Sequence, residues 1–364
     1  MLVIYFIAHS EWILHRSRAD MVKNLNSRFK ITSVSPLIEY KENIEDAYHN
    51  SINWVIDRTK LIDVKGIKNL RNILNEFNSN DVVHIFTIKS LYLFIFSTLF
   101  FKKKFKVLVS ITGLGYLFAE TILAKILRNL TKPLIRLRIN KVVNLIIFQN
   151  NENLSRFVEY SKYKNQSKII PGSGLDTLNF VTKKEKSTKM NVIFVGRLMK
   201  EKGIYEYLSI AEKLKNQNNL EFFIAGKPDF GNKSSLNFDE FNELQSNPNI
   251  TYLGEINVNQ ELHNYDILIQ PSYHEGFSRV LIESIFAGLF CIVNDIFGMK
   301  EIIQITKFGT TVQNNSVDEY ISKIKNYLNN EYKIDYEFAS KVIESEFSVA
   351  AISKHFEEIY DELA

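Results

Sequence analysis

A strand that ends beside two cations is the first pattern in this sequence that could do chemistry. Residues 191–203 read NVIFVGRLMKEKG, and a buried strand is predicted to end at Gly196, just before Arg197 and Lys202. Ligands of open α/β sheets bind outside the carboxyl ends of strands, where the next helix offers free N–H groups and a positive dipole end. A guanidinium fork and an ammonium group there predict a metal-independent diphosphate site. A surface pair beside a strand end is the alternative.

Two carboxylates follow a second strand-like run. The segment QPSYHEGFSRVLIESIFAG puts Glu275 in a loop and Glu283 about two helical turns further on. Carboxylates at those two depths can accept hydrogen bonds from hydroxyl groups of one extended ligand. Gly276 allows a tight turn, and free N–H groups near Phe277 and Ser278 are expected to bind an anion. The alternatives are an exposed helix residue for Glu283 and a helix-dipole partner for Glu275.

These segments need a scaffold of alternating strands and helices. The chain of 364 residues suits two α/β domains, and its 45% apolar and 24% charged residues are ordinary globular values. The predicted strands are Leu2–Ala8, Ile31–Val34, Val82–Phe86, Lys106–Ile111, Leu145–Gln149, Asn191–Val195, Glu221–Ala225, Ile250–Leu253, Ile267–Gln270 and Phe290–Val293. The predicted helices are Arg18–Asn26, Ile67–Asn75, Thr121–Arg138, Gly203–Asn216, Ser278–Ala287, Val317–Leu328 and Val349–Leu363.

The two halves of the chain carry opposite net charges. Up to Pro171 there are 26 Lys and Arg residues against 13 Asp and Glu residues, a balance of +13. The remainder has a balance of −9, which brings the chain to +4. A basic half predicts an anionic partner for the first domain. Nucleic acid is not favoured, because no basic strand with interleaved aromatic residues and no known module is present.

An uncharged run, Leu91–Phe101, precedes three lysines and is half as long as the roughly 20 residues that span a membrane. It fits a buried helix with cations at its C-terminus, or a monotopic patch with its apolar face in lipid. Further cations up to Lys141 favour the patch, and we predict peripheral attachment to an anionic membrane surface. The predicted membrane-facing residues are Lys102, Lys103, Lys104, Arg128, Lys132 and Arg136.

Other features exclude function classes. Cys291 is the only cysteine and lies in an apolar run, so it predicts a buried strand residue and a cytosolic protein. Leu2–Ala8 is too short for a signal-peptide core and is interpreted as a strand. Gly113, Gly115 and Phe118 replace the three glycines of a dinucleotide fingerprint, which disfavours a nicotinamide dehydrogenase.

Taken in order, the motifs of the second half resemble the retaining glycosyltransferase family 4, which has the GT-B fold. The E-x7-E motif of that family is Glu275 to Glu283, preceded by Pro271-Ser272 and followed by Ala287-Gly288. The other matching segments are FIAG at Phe223–Gly226, YLGE at Tyr252–Glu255 and GMKEI at Gly298–Ile302.

The resemblance implies a role for each motif residue. Arg197 and Lys202 would hold the donor diphosphate, Glu275 would bind the transferred sugar, and Glu283 would bind the ribose. It also implies front-face substitution, in which the leaving diphosphate helps to deprotonate the acceptor and no enzyme nucleophile is needed. No cofactor and no metal are expected. The predicted catalytic residues are Arg197, Lys202 and Glu275, and the predicted donor-binding residues are Gly196, Arg197, Lys202, Glu275, Gly276, Phe277, Ser278 and Glu283.

The first half resembles one branch of this family, which builds bacterial capsule, O-antigen or protein-glycan precursors on a polyprenyl-diphosphate carrier. The segments that carry this resemblance are His15-Arg16, Asp81–His84, Ile111–Phe118, Phe148–Asn150 and Pro171–Thr177. The predicted acceptor-side residues are His15, Arg16, Thr112, Gly113 and Gly115. Thr112-Gly113 replaces a histidine of many family members, and Ala8–Glu11 replaces a glycine-rich first loop. His84 is interpreted as a packing residue.

The sequence therefore predicts a GT-B protein of two Rossmann-like domains facing across a cleft, with residues 1–171 binding the acceptor and 172–345 the nucleotide-sugar. Residues 346–364 are expected to pack back on the first domain. The predicted reaction transfers a hexose or N-acetylhexosamine from a nucleotide-sugar, with UDP as the expected nucleotide, to a polyprenyl-diphosphate-linked saccharide at the cytoplasmic face of a bacterial membrane. The alternatives are a GT-B nucleotide-sugar epimerase and a non-catalytic scaffold of a polysaccharide assembly complex.

Overall fold

The chain folds into two compact units. The computed structural model describes residues 1–57, 59–60, 62–99, 104–118, 121–182, 189–230, 232 and 234–364. The first unit comprises Met1–Gly174 and Val349–Ala364, and the second comprises Leu175–Ser348. Each unit is a parallel sheet with helices, as a βαβ sequence pattern requires. The predicted α/β class is therefore confirmed.

A seven-stranded sheet forms the first unit, in the order β3-β2-β1-β4-β5-β6-β7. Its strands are β1 (Leu2–Ala8), β2 (Phe29–Ser35), β3 (Asn50–Asn53), β4 (Val82–Phe86), β5 (Lys106–Ile111), β6 (Leu145–Phe148) and β7 (Gln166–Ile169). The helices between its strands are α1 (Glu11–Leu25), α2 (Lys41–Ala47), α3 (Val64–Asn75), α4 (Ile88–Ser97), α5 (Ile122–Val142) and α6 (Asn151–Ser161). The strand order reverses between β1 and β4, so the carboxyl ends of these strands flank the crevice where α/β sheets bind ligands.

A six-stranded sheet forms the second unit, in the order β10-β9-β8-β11-β12-β13. Its strands are β8 (Met190–Val195), β9 (Leu220–Ala225), β10 (Thr251–Gly254), β11 (Ile267–Gln270), β12 (Phe290–Asn294) and β13 (Gly309–Val312). Its helices are α7 (Ile204–Lys213), α8 (Phe238–Ser246), α9 (Val258–Glu261), α10 (Arg279–Ala287), α11 (Lys300–Thr306), α12 (Val317–Leu328) and α13 (Tyr336–Val342). Here the order reverses between β8 and β11.

Every predicted strand is present, with ends within two residues of the prediction. The strands that the sequence did not reveal are β3, β7 and β13, which read NSIN, QSKI and GTTV and lie at sheet edges. An edge strand is covered on fewer sides, so it needs no continuous apolar run. A prediction based on apolar runs therefore does not detect it. Helix α1 begins at Glu11, seven residues before the predicted start, because its first turns are only partly apolar.

The last helix, α14 (Val349–Leu363), belongs to the first unit. Ile352 and Phe356 pack into the core on one face of the sheet. The Tyr360 hydroxyl lies 2.7 Å from Nδ1 of His84, whose Nε2 lies 2.7 Å from the Ser110 hydroxyl. His84 is fully buried, and burial lowers the pKa of its imidazole well below the usual value. Its position in the core agrees with a packing role.

The prediction that the run Leu91–Phe101 meets lipid is wrong for the residues described. Most of the run forms α4, and Leu91, Leu93, Phe94 and Ile95 have at most 1% exposure. They pack into a core of the first unit, because a strongly apolar helix beside a buried sheet removes more apolar surface from water there. Lys102 and Lys103 lie outside the described residues, and Lys104 is exposed.

Candidate functional site

In the second unit, the two segments that could do chemistry come together at the carboxyl ends of neighbouring strands. β8 and β11 pair in parallel, with Ile267 opposite Val192. Gly196 follows β8 and packs closely on Gly226, which follows β9: a Cβ atom on Gly226 would lie 1.9 Å from the Gly196 carbonyl oxygen. Gly226 also has φ +135°, which an L side chain rarely adopts. The two loops therefore pack backbone to backbone at the mouth of the site.

Lys202 and Glu275 form an ion pair across this site. Lys202 ends a short 3₁₀ turn before α7, and its Nζ lies 2.5 Å from Oε1 of Glu275. The side chains are only 25% and 11% exposed, so water screens the pair weakly. The supporting loops touch at Gly203, where a Cβ atom would lie 2.0 Å from the Pro271 carbonyl oxygen. The backbone thus fixes the spacing of the two charges.

The carboxylate of Glu275 is held by neutral donors as well. Gln270 Nε2 and Ser272 Oγ donate to Oε1 of Glu275 at 3.1 and 3.2 Å. Gln270 is in turn oriented by the Ser278 hydroxyl, which donates to its Oε1 at 2.8 Å. Within the described part of the chain, the hydrogen bonds of Glu275 all go to Oε1. Oε2 is therefore available for a hydroxyl group of a ligand.

Glu283 lies in the second turn of α10 and is 3% exposed. Nε of Arg279, one turn earlier, donates to Oε1 of Glu283 at 2.7 Å. Removing a carboxylate from water without a cation costs several kcal/mol, so Arg279 is what allows a buried charge here. The structure therefore does not support the alternative of an exposed helix residue.

The loop that leads into α10 is anchored by glycine contacts. A Cβ atom on Gly298 would lie 2.6 Å from the Gly276 carbonyl oxygen, and Gly298 has φ +84°. The Ser278 N–H donates to the Gly298 carbonyl at 3.1 Å, so the expectation of a free anion-binding N–H at Ser278 is wrong. The Ser278 hydroxyl instead caps α10 by accepting from the Leu281 N–H. Phe277 packs on Phe347, with ring centroids 5.3 Å apart.

Arg197 is more exposed than the Lys202–Glu275 pair and is paired with a different carboxylate. Its side chain is 62% exposed, and Nη1 lies 3.6 Å from Oδ2 of Asp229. A pair this exposed is weak, so the guanidinium can exchange Asp229 for an anionic ligand at little cost. The two predicted cations therefore pair with different carboxylates.

The predicted acceptor-side residues fall into two groups in the first unit. Thr112, Gly113 and Gly115, which follow β5, line one cavity of about 430 Å³. His15 and Arg16 lie on α1 and are not among the residues that line it. The His15 ring stacks on Tyr40 at 4.8 Å, and desolvation together with Arg16 lowers the pKa of His15.

The cavity is also lined by His9 and Thr87, which the sequence did not single out. Only their positions in the fold could have indicated a site: each residue directly follows a buried strand, β1 or β4, at the point where the strand order reverses. Among the described residues, no three His, Cys, Asp or Glu side chains cluster as metal ligands, and no helix is long and apolar enough to cross a membrane.

Residues 177–346 match the family model described as glycosyl transferases group 1. The second unit carries a glycosyltransferase group 1 domain. This match includes both glutamates and the loop residues from Gly196 to Lys202. The catalytic assignment of individual residues remains a prediction.

Solved structures share the whole fold. The Anabaena protein HepE in complex with UDP and glucose has a TM-score of 0.79 and 15% identity, with all of both chains covered. The pneumococcal O-GlcNAc transferase GtfA in complex with UDP and GlcNAc has a TM-score of 0.72 and 13% identity, over 100% of this chain and 99% of that one. The predicted GT-B fold is therefore confirmed.

One curated relative is similar along most of its length. It is the N,N'-diacetylbacillosaminyl-diphospho-undecaprenol alpha-1,3-N-acetylgalactosaminyltransferase of Campylobacter jejuni, 24% identical over 347 residues and 90% of each chain. A protein encoded in the cps region of Klebsiella pneumoniae is 26% identical over 246 residues, which are 63% of this chain and 64% of that one.

Proposed function

We propose that this protein is a retaining glycosyltransferase that moves a sugar from a nucleotide-sugar to a polyprenyl-diphosphate-linked saccharide. The observation that carries the proposal is the pairing of Lys202 with Glu275 at the carboxyl ends of β8 and β11, with a second carboxylate, Glu283, paired with Arg279 on α10, the helix that follows β11. This arrangement offers a cation to a diphosphate and carboxylates to hydroxyl groups within one site. It lies inside the segment that matches the glycosyltransferase model.

The residues suggest how the reaction would run. Lys202 and Arg197 stabilise the negative charge that develops on the departing diphosphate, because both can leave a carboxylate partner for a more highly charged one. Oε2 of Glu275 accepts a hydroxyl of the transferred sugar and holds its anomeric carbon in place. Glu283, paired with Arg279, accepts from the ribose hydroxyls. The acceptor oxygen attacks on the face that the diphosphate leaves, and the diphosphate takes its proton. No enzyme nucleophile and no metal are assigned.

Three similar proteins support the choice of substrates. HepE and GtfA were both solved with UDP, which favours UDP as the nucleotide here. The Campylobacter relative acts on an undecaprenyl-diphosphate-linked sugar, which favours an acceptor of the same chemical class. An anionic acceptor also suits the basic first half of the chain. We therefore assign the protein to bacterial surface polysaccharide or glycan biosynthesis.

Membrane attachment is part of this proposal, with α5 as the contact surface in place of α4. The outward side of α5 exposes a row of aliphatic side chains at helical spacing, each at least half exposed: Ile122, Leu123, Ile126, Leu130 and Leu137. The opposite side, with Ala124, Ile135 and Ile139, is buried in the core. Lys125, Lys132 and Arg136 flank the exposed row. An aliphatic row bordered by cations fits the surface of an anionic bilayer, where the protein would sit on the cytoplasmic side.

Vesicle binding tests this surface. The double variant Ile126→Ser and Leu130→Ser is expected to bind vesicles of anionic lipid at least about tenfold more weakly, since each change removes several apolar carbons from lipid contact. Lys104→Gln tests the predicted lysine cluster and serves as the comparison. Unchanged binding by the double variant would remove α5 from the proposal.

Nucleotide release tests the reaction itself. Purified protein is incubated with UDP-, GDP- and dTDP-sugars, with and without polyprenyl-diphosphate-linked saccharides. Release of one nucleotide only when acceptor is present, with retained anomeric configuration in the product, is the expected result. Turnover without acceptor would indicate the epimerase. Binding of no nucleotide-sugar would indicate the scaffold.

A further inference from the structure

The cavity of the first unit is lined in part by the predicted acceptor-side residues, but the transfer reaction leaves its apolar wall unexplained. It opens where β1, β4 and β5 end, at the reversal of strand order. Its wall is mostly apolar and includes Ile88, Leu93, Phe96 and Leu117. A volume of about 430 Å³ lies within the range of small-molecule sites. The cavity thus has the place and the size of a ligand site.

The polar groups around the cavity are largely satisfied by one another. The Tyr92 hydroxyl lies 2.7 Å from the Tyr160 hydroxyl, which also lies 3.0 Å from Oγ1 of Thr131. Oγ1 of Thr87 lies 3.1 Å from Nδ1 of His9 and 3.2 Å from the Ser90 hydroxyl. A saccharide needs a free donor or acceptor for each of its hydroxyl groups, because an unmatched buried one costs about 1–3 kcal/mol. The cavity therefore suits a hydrocarbon better than a sugar.

Thr87 marks this cavity as more than a packing defect. It has φ +76° and ψ 156°, a region that a β-branched residue almost never occupies. The strain is held by the Thr87 N–H, which donates to the Ser110 carbonyl at 2.9 Å, and by the contact with His9. Strained backbone of this kind concentrates at binding and catalytic sites. The next residue but one, Lys89, brings a cation to the cavity wall.

We propose that this cavity binds the isoprenoid segment next to the diphosphate of the acceptor, with Lys89 placed for the phosphate end. The inference rests on the proposed function, which supplies an acceptor of this class. A volume of about 430 Å³ lies at the smaller end of small-molecule sites, so the cavity holds roughly two or three five-carbon isoprene units and not a complete polyprenyl chain. The remaining chain would stay in the membrane.

Chain length is the first variable to test. Binding of diphosphates that carry one, two, three or four isoprene units to the full protein is measured by titration calorimetry, with inorganic diphosphate as the reference. The affinity is expected to rise at least about tenfold per unit at first, because each buried methylene contributes, and to stop rising after the third unit. Affinity that does not change with chain length would overturn the proposal.

A variant that fills the cavity is the second test. A Cβ atom at Gly113 would meet nothing within 4 Å, so Gly113→Leu can be accommodated and occupies the space. It is expected to weaken the binding of the three-unit diphosphate at least about tenfold and to leave inorganic diphosphate unaffected. Ser79→Leu adds the same side chain at an exposed loop position before β4 and is the matched control. Equal binding by both variants would overturn the proposal.

The reaction distinguishes this inference from the proposed function. One outcome is transfer that is equally efficient for saccharide diphosphates of every isoprenoid chain length, with nucleotide released each time. That result would refute the isoprenoid site and leave the proposed glycosyltransferase activity intact. Binding of a prenyl-free saccharide that Gly113→Leu abolishes would assign the cavity to the sugar and also refute the inference. Chain-length-dependent binding without any transfer would support the site and refute the reaction.

Discussion

Replacing Lys202 separates its structural role from its proposed catalytic role. In Lys202→Ala, Glu275 keeps Gln270 and Ser272 as donors but loses its cation at 2.5 Å. Because the carboxylate is 11% exposed, we expect the free energy of unfolding to fall by about 1–3 kcal/mol, less than for a fully buried pair. The loss of a charge that stabilises the leaving diphosphate should lower kcat by roughly 10²-fold or more.

The double variant Lys202→Ala with Glu275→Gln tests whether the lost stability comes from the uncompensated carboxylate. It removes the uncompensated charge, so most of the lost stability should return in urea unfolding, while the turnover in the nucleotide-release assay stays low. Lys213→Ala is the control, because Lys213 pairs with Asp318 on the surface of the same unit, with side chains 53% and 83% exposed. That variant should cost under about 1 kcal/mol and retain kcat. Recovery of activity together with stability would refute the catalytic role of Lys202.

Three further changes test other parts of the structure. Glu283→Ala should raise the donor KM more than it lowers kcat; an effect on acceptor KM alone would contradict the ribose assignment. Because burial lowers the pKa of His84, the unfolded chain takes up its proton below about pH 6.5 and the folded chain does not, so stability should fall by up to about 1.4 kcal/mol per pH unit below that value. Thermal melts of His84→Gln should show a shallower pH dependence, and an unchanged slope would exclude His84 as its source. Gly226→Ala should lower Tm by several degrees, because its Cβ atom would overlap the Gly196 carbonyl; an unchanged Tm would show that the two loops can separate.

Much of the candidate site could be predicted because its residues lie in short, local segments of the chain. The strand that ends at Gly196, the cations after it, and the spacing of Glu275 and Glu283 are local patterns, and each kept its predicted element. The prediction for Ser278 failed because its N–H is used by Gly298, a residue from another loop. A hydrogen bond between loops depends on the packing of both and leaves no trace in either segment alone.

What the sequence determined by itself was therefore the class of fold, the buried strands and the order of the motif residues, since these depend on apolar periodicity and local spacing. The tertiary structure alone decided that Lys202 pairs with Glu275, that α4 is buried while α5 exposes its aliphatic row, and that a cavity lies beside Thr87. An apolar helix has the same sequence pattern whether a sheet or a lipid covers it. Only the positions of the other elements determine which apolar surface is left uncovered.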